Sequence, residues 1–206
     1  HSFPTRRSSD LQLERAQRSE IRQEIGMLFQ GSALFDSLSV LENVMYPLEM
    51  FSPTTKEEMV ARARFCLQHV NLEEKAFRLA PSEISGGMQK RAAIARAMAL
   101  DPDILFLDEP SAGLDPITSA ELDQTILSIS KNLGITFVVV THELPSIYTI
   151  ADRIIMLDKD TKGIIAEGDP RWLREHSDNP QVRKFFNRGA DIASGDTQLQ
   201  PASLPA

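Results

Sequence analysis

Two adjacent carboxylates, Asp108 and Glu109, follow an apolar run in the segment ILFLDEP. An apolar run without alternation is typical of a strand buried on both faces, and open parallel sheets bind ligands at the carboxyl ends of such strands. There Asp108 suits a Mg²⁺ ion held through water, and Glu109 suits a base that polarises water for attack on a phosphoryl group. Taken alone, the pair fits an exposed acidic turn before a proline equally well.

A second candidate lies in ISGGMQK, where Ser85 is expected to cap a helix that begins with Gly86 and Gly87. Bare glycines let a phosphate approach the exposed N–H groups of the first turn, and the helix dipole favours its charge. A flexible helix start explains the isolated tripeptide better than a phosphate site does.

Three further polar residues complete the set. Gln30 ends the apolar run EIGMLFQ, Asp115 ends SAGLD directly after DEP, and His142 follows the apolar run ITFVVV. A histidine at the end of a strand is more often a surface residue than a catalytic one. The order and spacing of the whole set carry far more information than any single member.

The elements that would position these residues alternate between strands and helices. DILFL and ITFVVV are predicted to be buried strands, and PITSAELDQTILSISKNLG between them a helix from Pro116 to Gly134. Strand, helix and strand at this spacing predict a βαβ unit with parallel strands.

Capping signals predict two helices upstream of this unit. Thr55 and Glu58 form a capping box at the start of TTKEEMVARARFCLQHVNL, and the helix from Ser85 is expected to run to Asp101-Pro102.

The carboxy-terminal part predicts a hairpin around Asp160 to Gly163, at the edge of the sheet or in a small subsheet. Asp169-Pro170 and Asn179-Pro180 predict two short helices over residues 169–189, which pack against the last strands or form a regulatory, dimer-stabilising arm. Residues 190–206 have the composition of a disordered tail.

Composition narrows the partners. The formal net charge of −7 and the pI near 5.2 give no basic footprint, so a nucleic acid partner is disfavoured. The single cysteine, Cys66, excludes an internal disulfide and is expected to be a small buried apolar residue. The apolar runs are too short to cross a bilayer, so any membrane function would require a partner.

Over residues 25–158 the chain resembles an ABC-type nucleotide-binding domain. The matching motifs occur in the family's order: Gln30, SGG, DEP, SAGLD and His142. The resemblance implies an α/β, P-loop NTPase-like fold with a mostly parallel sheet and a helical and signature subdomain over about residues 36–100. Ile84 and Met88, with Gln89 next, depart from the usual LSGGQ signature.

The resemblance also implies a role for each matching residue, in a head-to-tail homodimer that holds two ATP molecules with Mg²⁺. Gln30 would be the Q-loop residue that reaches Mg²⁺ and the attacking water, and the signature residues Ser85, Gly86, Gly87 and Gln89 would contact the ATP on the opposite protomer. Asp108 would be the metal ligand and Glu109 the catalytic base. Asp115 would be the aspartate at the dimer seam, and His142 the switch histidine.

Longer stretches, among them GSALFDS, SGGM and NPQVRKFFNRG, are similar to the ATPase subunits of Mla-type, MCE-associated lipid transporters. This implies two membrane permeases and an MCE lipid-binding protein as partners, phospholipid transport between the inner and outer membranes, and a place on the cytoplasmic face of the inner membrane. Residues 33–41 would then lie near the groove for the permease.

Three alternatives remain. The chain could belong to a different ABC importer, or to a DNA-repair or chromosome-organising ABC ATPase, although the coiled-coil heptads or large insertion expected of the latter are not seen in the sequence. It could also be a non-hydrolysing interaction subunit, which Glu109 and His142 disfavour because both match the active pattern.

No G-x-x-x-x-G-K-[ST] segment occurs in the chain. In the family this Walker A loop lies upstream of the Q-loop, on the central strand, and cradles the β- and γ-phosphates. We therefore interpret residues 12–189 as a partial domain that lacks its N-terminal strands, from a parent that is an ATPase. We expect the chain itself to be inactive, and to aggregate or bind MgATP very weakly because apolar strand faces are uncovered.

The first eleven residues, HSFPTRRSSDL, are rich in arginine and serine. This composition suggests a transit peptide or a nucleic-acid-binding tail, but Pro4, Asp10 and the lack of an amphipathic period disfavour both interpretations. Residues 1–11 can be back-translated into a common sequencing adapter, so we interpret them as an artefactual arm. We expect the nucleotide record to contain the adapter, and unrelated codons there would disprove this interpretation.

Overall fold

The computed structural model of the protein describes residues 24–188. It divides into two compact units whose boundary lies between His142 and Glu143, so the described parts are residues 24–142 and 143–188. The predictions for the arm at residues 1–11, for Gly189 as a helix end and for the tail at residues 190–206 lie outside the described residues.

Residues 24–142 contain a parallel sheet of three strands with the order β1-β2-β3, and helices pack against one of its faces. In chain order the elements are β1 (Ile25–Leu28), α1 (Val40–Phe51), α2 (Lys56–His69), short 3₁₀ turns at Glu74–Ala76 and Pro81–Glu83, α3 (Gly86–Ala97), β2 (Ile104–Asp108), α4 (Pro116–Leu133) and β3 (Thr136–Val140). The predicted strand–helix–strand unit with parallel strands is confirmed.

The predicted capping signals at α2 and α4 are confirmed. The Thr55 N–H donates to Glu58 Oε2 at 2.8 Å, and the Glu58 N–H donates back to Thr55 Oγ1 at 3.3 Å. Helix α4 begins at Pro116 and ends at Gly134, whose φ of 71° is the left-handed conformation that favours glycine. These local signals fix where both helices begin and where α4 ends.

The predicted length of α3 is wrong, because the helix ends at Ala97 rather than at Asp101-Pro102. Asp101, just before Pro102, has a φ of 59°, so the chain has already left the helix when it reaches the proline. In the turn after the helix, Arg62 of α2 donates to Met98 O at 3.0 Å and to Ala99 O at 3.1 Å.

One face of the sheet is packed against helices. Leu28, Leu105 and Leu107 on this face are almost fully buried, at 1%, 0% and 1% exposure. Helix α3 lies so close to β1 that a Cβ added at Gly26 would stand 2.4 Å from Ala97 O. Glycine is therefore required there for the helix to approach the sheet.

The opposite face is uncovered, so the prediction that β2 and β3 are buried on both faces is wrong. The register places Met27 beside Phe106 and Phe106 beside Val138, and Met27 and Val138 are 50% and 40% exposed. Val140, at the end of β3, is 59% exposed. Within residues 24–188 no strand pairs with the outer edge of β3, and only one face of its sheet has a helical layer.

Residues 143–188 confirm the predicted hairpin, in the form of a small separate subsheet. In chain order the elements are α5 (Leu144–Ile150), β4 (Ile154–Asp158), β5 (Gly163–Gly168), α6 (Pro170–His176) and α7 (Pro180–Asn187), and β4 pairs antiparallel with β5.

Asp169 and Asn179 cap α6 and α7 as predicted, by accepting from the N–H groups of Trp172 and Gln181. Buried side chains of the two helices, Val182 and Phe186 among them, pack against the hairpin. These contacts support packing against the last strands, although Trp172 of α6 is 55% exposed. A regulatory or dimer-stabilising role stays a prediction.

Two further expectations concern burial and membranes. Cys66 is fully buried, and burial raises the pKa of its thiol to about 11, so the predicted apolar role is confirmed. None of the helices in residues 24–188 has both the length and the apolar character that a bilayer span needs.

Candidate functional site

The candidate site begins at the carboxyl ends of β2 and β3. Asp108 is the last residue of β2, and the next N–H group, that of Glu109, donates to Val140 O at the end of β3 over 2.9 Å. Glu109 has a φ of 45°, a left-handed conformation that is rare for a residue with a side chain and costs about 1 to 3 kcal/mol. The sheet holds Glu109 in this conformation, and strained backbone of this kind is concentrated at functional sites.

Glu109 and His142 are brought into direct contact. His142 Nδ1 lies 2.7 Å from Glu109 Oε1, although the two residues are 33 positions apart. The imidazole donates to this carboxylate oxygen in the form that carries a proton on Nδ1. The Glu109 side chain is 20% exposed and that of His142 is 67% exposed, so the histidine contacts the carboxylate from the solvent side.

The second carboxylate oxygen of Glu109 is buried, and within residues 24–188 it has no hydrogen-bond partner. The same holds for the hydroxyl group of Ser111, two residues further on. Buried polar atoms are normally paired, because an unpaired one loses its hydration without compensation. Glu109 Oε2 therefore fits a site that receives a water molecule or another donor.

The described side chains suit Mg²⁺ only in part. No group of three or more His, Cys, Asp or Glu residues in the described part of the chain could hold a metal ion. Mg²⁺ commonly keeps several waters and binds proteins through one or two carboxylates together with substrate phosphates. Asp108, at the strand end beside Glu109, fits that sparse mode of binding.

The predicted signature residues form the first turn of α3. Ser85 Oγ accepts from the Met88 N–H at 3.3 Å, which confirms Ser85 as the cap of the helix. Gln89 donates from Nε2 to Pro81 O at 3.0 Å and to Ile84 O at 3.4 Å. The Gln89 side chain thus fixes the turn before the helix, and its predicted contact with nucleotide remains a prediction.

The predicted dimer-seam residue Asp115, which ends the SAGLD segment that resembles the family's D-loop, caps α4. Its Oδ1 accepts from the N–H groups of Ile117 and Thr118, both at 3.0 Å. The hydroxyl group of Thr118 also donates to Asp115, and these hydrogen bonds hold the pKa of the Asp115 carboxyl below its ordinary value. The ionised cap is therefore retained as the pH falls, until the pH passes below that lowered pKa.

The signature turn packs against the start of α4. A Cβ added at Gly87 would lie 2.4 Å from Thr118 Cγ2, whereas one added at Gly86 would meet Leu114 at an ordinary 3.6 Å. The signature and D-loop segments are therefore in contact within one chain. No hydrogen bond among the described residues joins Ser85 to Asp108 or Glu109.

Gln30 follows β1, and its side chain makes no hydrogen bond to Asp108 or Glu109 within residues 24–188. Its main-chain carbonyl group accepts instead from Lys90 Nζ. Lys90 is only 5% exposed; burial lowers its pKa, and the nearby Asp108 and Glu109 act in the opposite direction. Sequence reasoning missed Lys90, and its only signal was a lysine on the apolar side of a helix rich in alanine.

Comparison with known proteins identifies the class. The model of the ABC transporter family matches residues 5–112, more than half of the chain, so the chain belongs to this family. The predicted α/β fold of an ABC nucleotide-binding domain, P-loop NTPase-like with a parallel sheet, is thereby confirmed.

Individual relatives refine this assignment. The chain is 40% identical over 180 residues to the intermembrane phospholipid transport system ATP-binding protein MlaF of Escherichia coli K12, and the match covers 87% of this chain and 65% of MlaF. It is 39% identical over 170 residues to the probable ribonucleotide transport ATP-binding protein mkl of Mycobacterium tuberculosis H37Rv, over 82% of this chain and 46% of that protein. The chain therefore spans about half to two thirds of the length of these relatives.

A solved structure agrees. The dimeric ATP-binding cassette MJ0796, in a post-hydrolysis state bound to ADP and Pi, has a TM-score of 0.66 and 35% sequence identity, over 77% of this chain and 68% of that one. Sequence and fold thus give the same class.

The contact between Gly87 and Thr118 yields a prediction. Gly87→Ala is expected to lower the free energy of unfolding by about 2 kcal/mol, because the new methyl group overlaps the stiff, β-branched Thr118. Adding Thr118→Ser should restore most of the loss, since serine lacks Cγ2 but keeps the hydroxyl group bound to Asp115. Urea unfolding of the single and double variants measures both effects.

Gly86→Ala is the matched control, because a methyl group at that position meets only an ordinary contact. It is expected to leave the free energy of unfolding unchanged or to raise it. Equal losses for the two glycine variants, or no recovery with Thr118→Ser, would contradict the proposed contact.

Proposed function

We propose that the chain is part of the ATP-binding and hydrolysing subunit of an ABC transporter that drives phospholipid transport between the inner and outer membranes. The observation that carries the catalytic part is the Glu109–His142 pair, joined at 2.7 Å, with a buried and unpartnered second carboxylate oxygen. The transport part is supported by the 40% identity to MlaF, whose name describes intermembrane phospholipid transport.

In this proposal Glu109 is the general base. His142 occupies Oε1 of the carboxylate, which leaves Oε2 to accept the proton of the attacking water. The water oxygen forms a bond to the γ-phosphorus, the bond from that phosphorus to the β-γ bridging oxygen breaks, and ADP and phosphate leave. Asp108 would hold Mg²⁺ through water, and Mg²⁺ when bound neutralises charge on the phosphates.

The remaining site residues are assigned to a head-to-tail homodimer. Ser85, Gly86 and Gly87 would contact ATP bound on the partner protomer, which is consistent with the lack of any hydrogen bond from Ser85 to Asp108 or Glu109 in one chain. Asp115 would lie at the dimer seam. The similar cassette MJ0796 is itself dimeric in its complex with ADP and Pi.

Membrane partners follow from the same assignment. We propose two permease subunits, an MCE-domain lipid-binding protein and a peripheral place on the cytoplasmic face of the inner membrane. Residues 33–41 would lie near the permease. Among these residues Phe35 is 42% exposed, as a contact surface requires.

The chain alone is proposed to be inactive. Its sequence holds no G-x-x-x-x-G-K-[ST] loop to cradle the phosphates. The uncovered apolar sheet face, with Met27 and Val140 at 50% and 59% exposure, supports the expectation that it aggregates. The interpretation of residues 1–11 as an artefactual arm stays a prediction, and the family match begins within that segment, at residue 5.

A different ABC importer is the second candidate function. The 39% identity to a probable ribonucleotide transport protein favours it almost as strongly as the MlaF match favours lipid transport. The catalytic assignment is the same in both cases, so only the transported substrate separates them.

ATP hydrolysis is tested with a fused chain, in which residues 12–206 follow the part of E. coli MlaF that precedes the matched region. The fused chain is expected to hydrolyse MgATP, whereas the 206-residue chain is not. Glu109→Gln should lower kcat of the fused chain by about 10³ and leave nucleotide binding intact, because the amide keeps the shape but accepts no proton. Turnover and bound MgATP are measured in parallel.

Glu57→Gln, at an exposed carboxylate in the first turn of α2, is the control and should keep full turnover. An inactive wild-type fused chain would refute the proposed ATPase, and an active Glu109→Gln variant would refute the role of Glu109. Hydrolysis by the 206-residue chain would refute its proposed inactivity.

Lipid transport is tested by replacing MlaF with the fused chain in vesicles that contain the permease and MCE subunits of the E. coli system. MgATP is expected to drive movement of labelled phospholipid, and Glu109→Gln should abolish it. Hydrolysis that is not accompanied by phospholipid movement would reject the lipid assignment in favour of a different importer.

A further inference from the structure

The loop after β1 adopts an unusual backbone conformation. Ser32 and Ala33 have φ values of 61° and 48°, and neither is a glycine. Residues with a side chain enter this left-handed region at an energetic cost, and two in succession require outside support. Contacts from other elements must therefore hold this loop in place.

That support comes from two cations of α3. Arg96 donates from Nη1 to Ala33 O at 2.7 Å and from Nη2 to Ser32 O at 2.9 Å. Lys90 donates from Nζ to Gln30 O. Three main-chain carbonyl groups of one short loop are thus bound by charged donors of a single helix, and charge-assisted hydrogen bonds of this kind are the strong ones.

Arg96 and Lys90 differ in which other side chains could make the same contacts with the loop. The planar guanidinium of Arg96 reaches two successive carbonyl groups at once and lies 5.7 Å from the centre of the Phe35 ring, which a lysine ammonium cannot reproduce. Lys90 is buried at 5% exposure and makes a single contact to the loop, so another cation of sufficient reach could take its place.

A different residue holds the far end of the loop. Asn43 of α1 accepts from the Phe35 N–H at 2.7 Å and donates to Phe35 O at 3.0 Å. The loop is therefore fastened to α1 at one end and to α3 at the other. Only the α3 end includes Gln30.

We propose that Lys90 and Arg96 are positioning residues, which couple Gln30 to helix α3 by binding the carbonyl groups of residues 30, 32 and 33. The first turn of α3 is formed by Gly86 and Gly87, with Ser85 as its cap. A movement of the signature turn is therefore transmitted along one helix to Gln30. This inference rests on the proposed function, in which Gln30 acts on one ATP and the signature turn contacts the other.

Coupling of the two sites is the consequence. In the proposed dimer each chain offers its signature turn to one nucleotide and Gln30 to the second. Because α3 carries both the turn and the two cations, ATP bound against the turn would fix Gln30 in the other site. Whether the two sites hydrolyse ATP in turn or together would then depend on Lys90 and Arg96.

Hydrogen exchange tests the coupling directly. It is followed by NMR in the fused chain. Arg96→Lys is expected to speed exchange of the Ser32 and Ala33 amides by about tenfold, because two hydrogen bonds from a charged group are lost. The Phe35 amide, held by Asn43, should change little. Lys90→Met should act in the same direction, and Lys90→Arg should restore protection because it keeps a charged donor.

Arg62→Lys is the matched control, since Arg62 also binds two main-chain carbonyl groups, those of Met98 and Ala99, at the far end of α3. It should speed exchange near residue 99 and leave the Ser32 and Ala33 amides unchanged. Unchanged exchange of those two amides in Arg96→Lys would overturn the proposal. An equal rise in Arg62→Lys would overturn it as well, because it would show only a general loosening.

Steady-state kinetics of the fused chain distinguish a positioning role from a purely structural one, because only a positioning role would change kcat without changing the KM for MgATP. Arg96→Lys is expected to lower kcat by about tenfold while the KM for MgATP stays within about twofold, because Gln30 acts on the attacking water rather than on nucleotide binding. A rise in KM with unchanged kcat would overturn the coupling. The expected exchange pattern in a fused chain without ATPase activity would leave the positioning intact and refute the proposed function instead.

Discussion

The close approach of helix α3 to β1 is the constraint on which the remaining geometry depends. A Cβ at Gly26 would lie 2.2 Å from Leu105 Cδ2 and 2.4 Å from Ala97 O, so only glycine allows this separation. At that distance Lys90 and Arg96 reach the carbonyl groups of the loop after β1, and they hold two of its residues in a left-handed conformation. The helix, the strand and the loop are therefore joined by direct contacts, and together they carry both the signature turn and Gln30.

A second constraint acts at the carboxyl ends of β2 and β3. The hydrogen bond from the Glu109 N–H to Val140 O joins the strand ends and fixes Glu109 at a φ of 45°. His142, just beyond β3, then meets one carboxylate oxygen and leaves the other buried without a partner in the described residues. Natural sequences accept strain and an unpaired buried oxygen chiefly where chemistry requires them. Both features occur at Glu109, the residue that the proposed function assigns as the general base.

Local signals predicted many of the elements, although no helix was predicted at Val40–Phe51 or Leu144–Ile150, and long-range contacts were beyond them. The caps at Thr55, Ser85 and Asn179 are encoded within a few residues, so the sequence predicted them correctly. The hydrogen bond from Arg96 to Ala33 O joins residues 63 positions apart, and no periodic pattern in the sequence predicts a contact at that separation. The burial of β3 was misjudged for a related reason: an apolar strand shows that a face suits packing, whereas the presence of a covering layer depends on other segments.

The uncovered sheet face lies on the side of β2 that carries Asp108. Strand residues alternate between faces, so Asp108 shares its face with Phe106, and the register places Asp108 beside the exposed Val140. Leu105 and Leu107 point to the covered face, whose packing already fixes the position of β2. Asp108 and the open face thus lie on the same side of β2. Under the proposed function the phosphates would meet Asp108 at the carboxyl ends of β2 and β3, where Glu109 and His142 already lie.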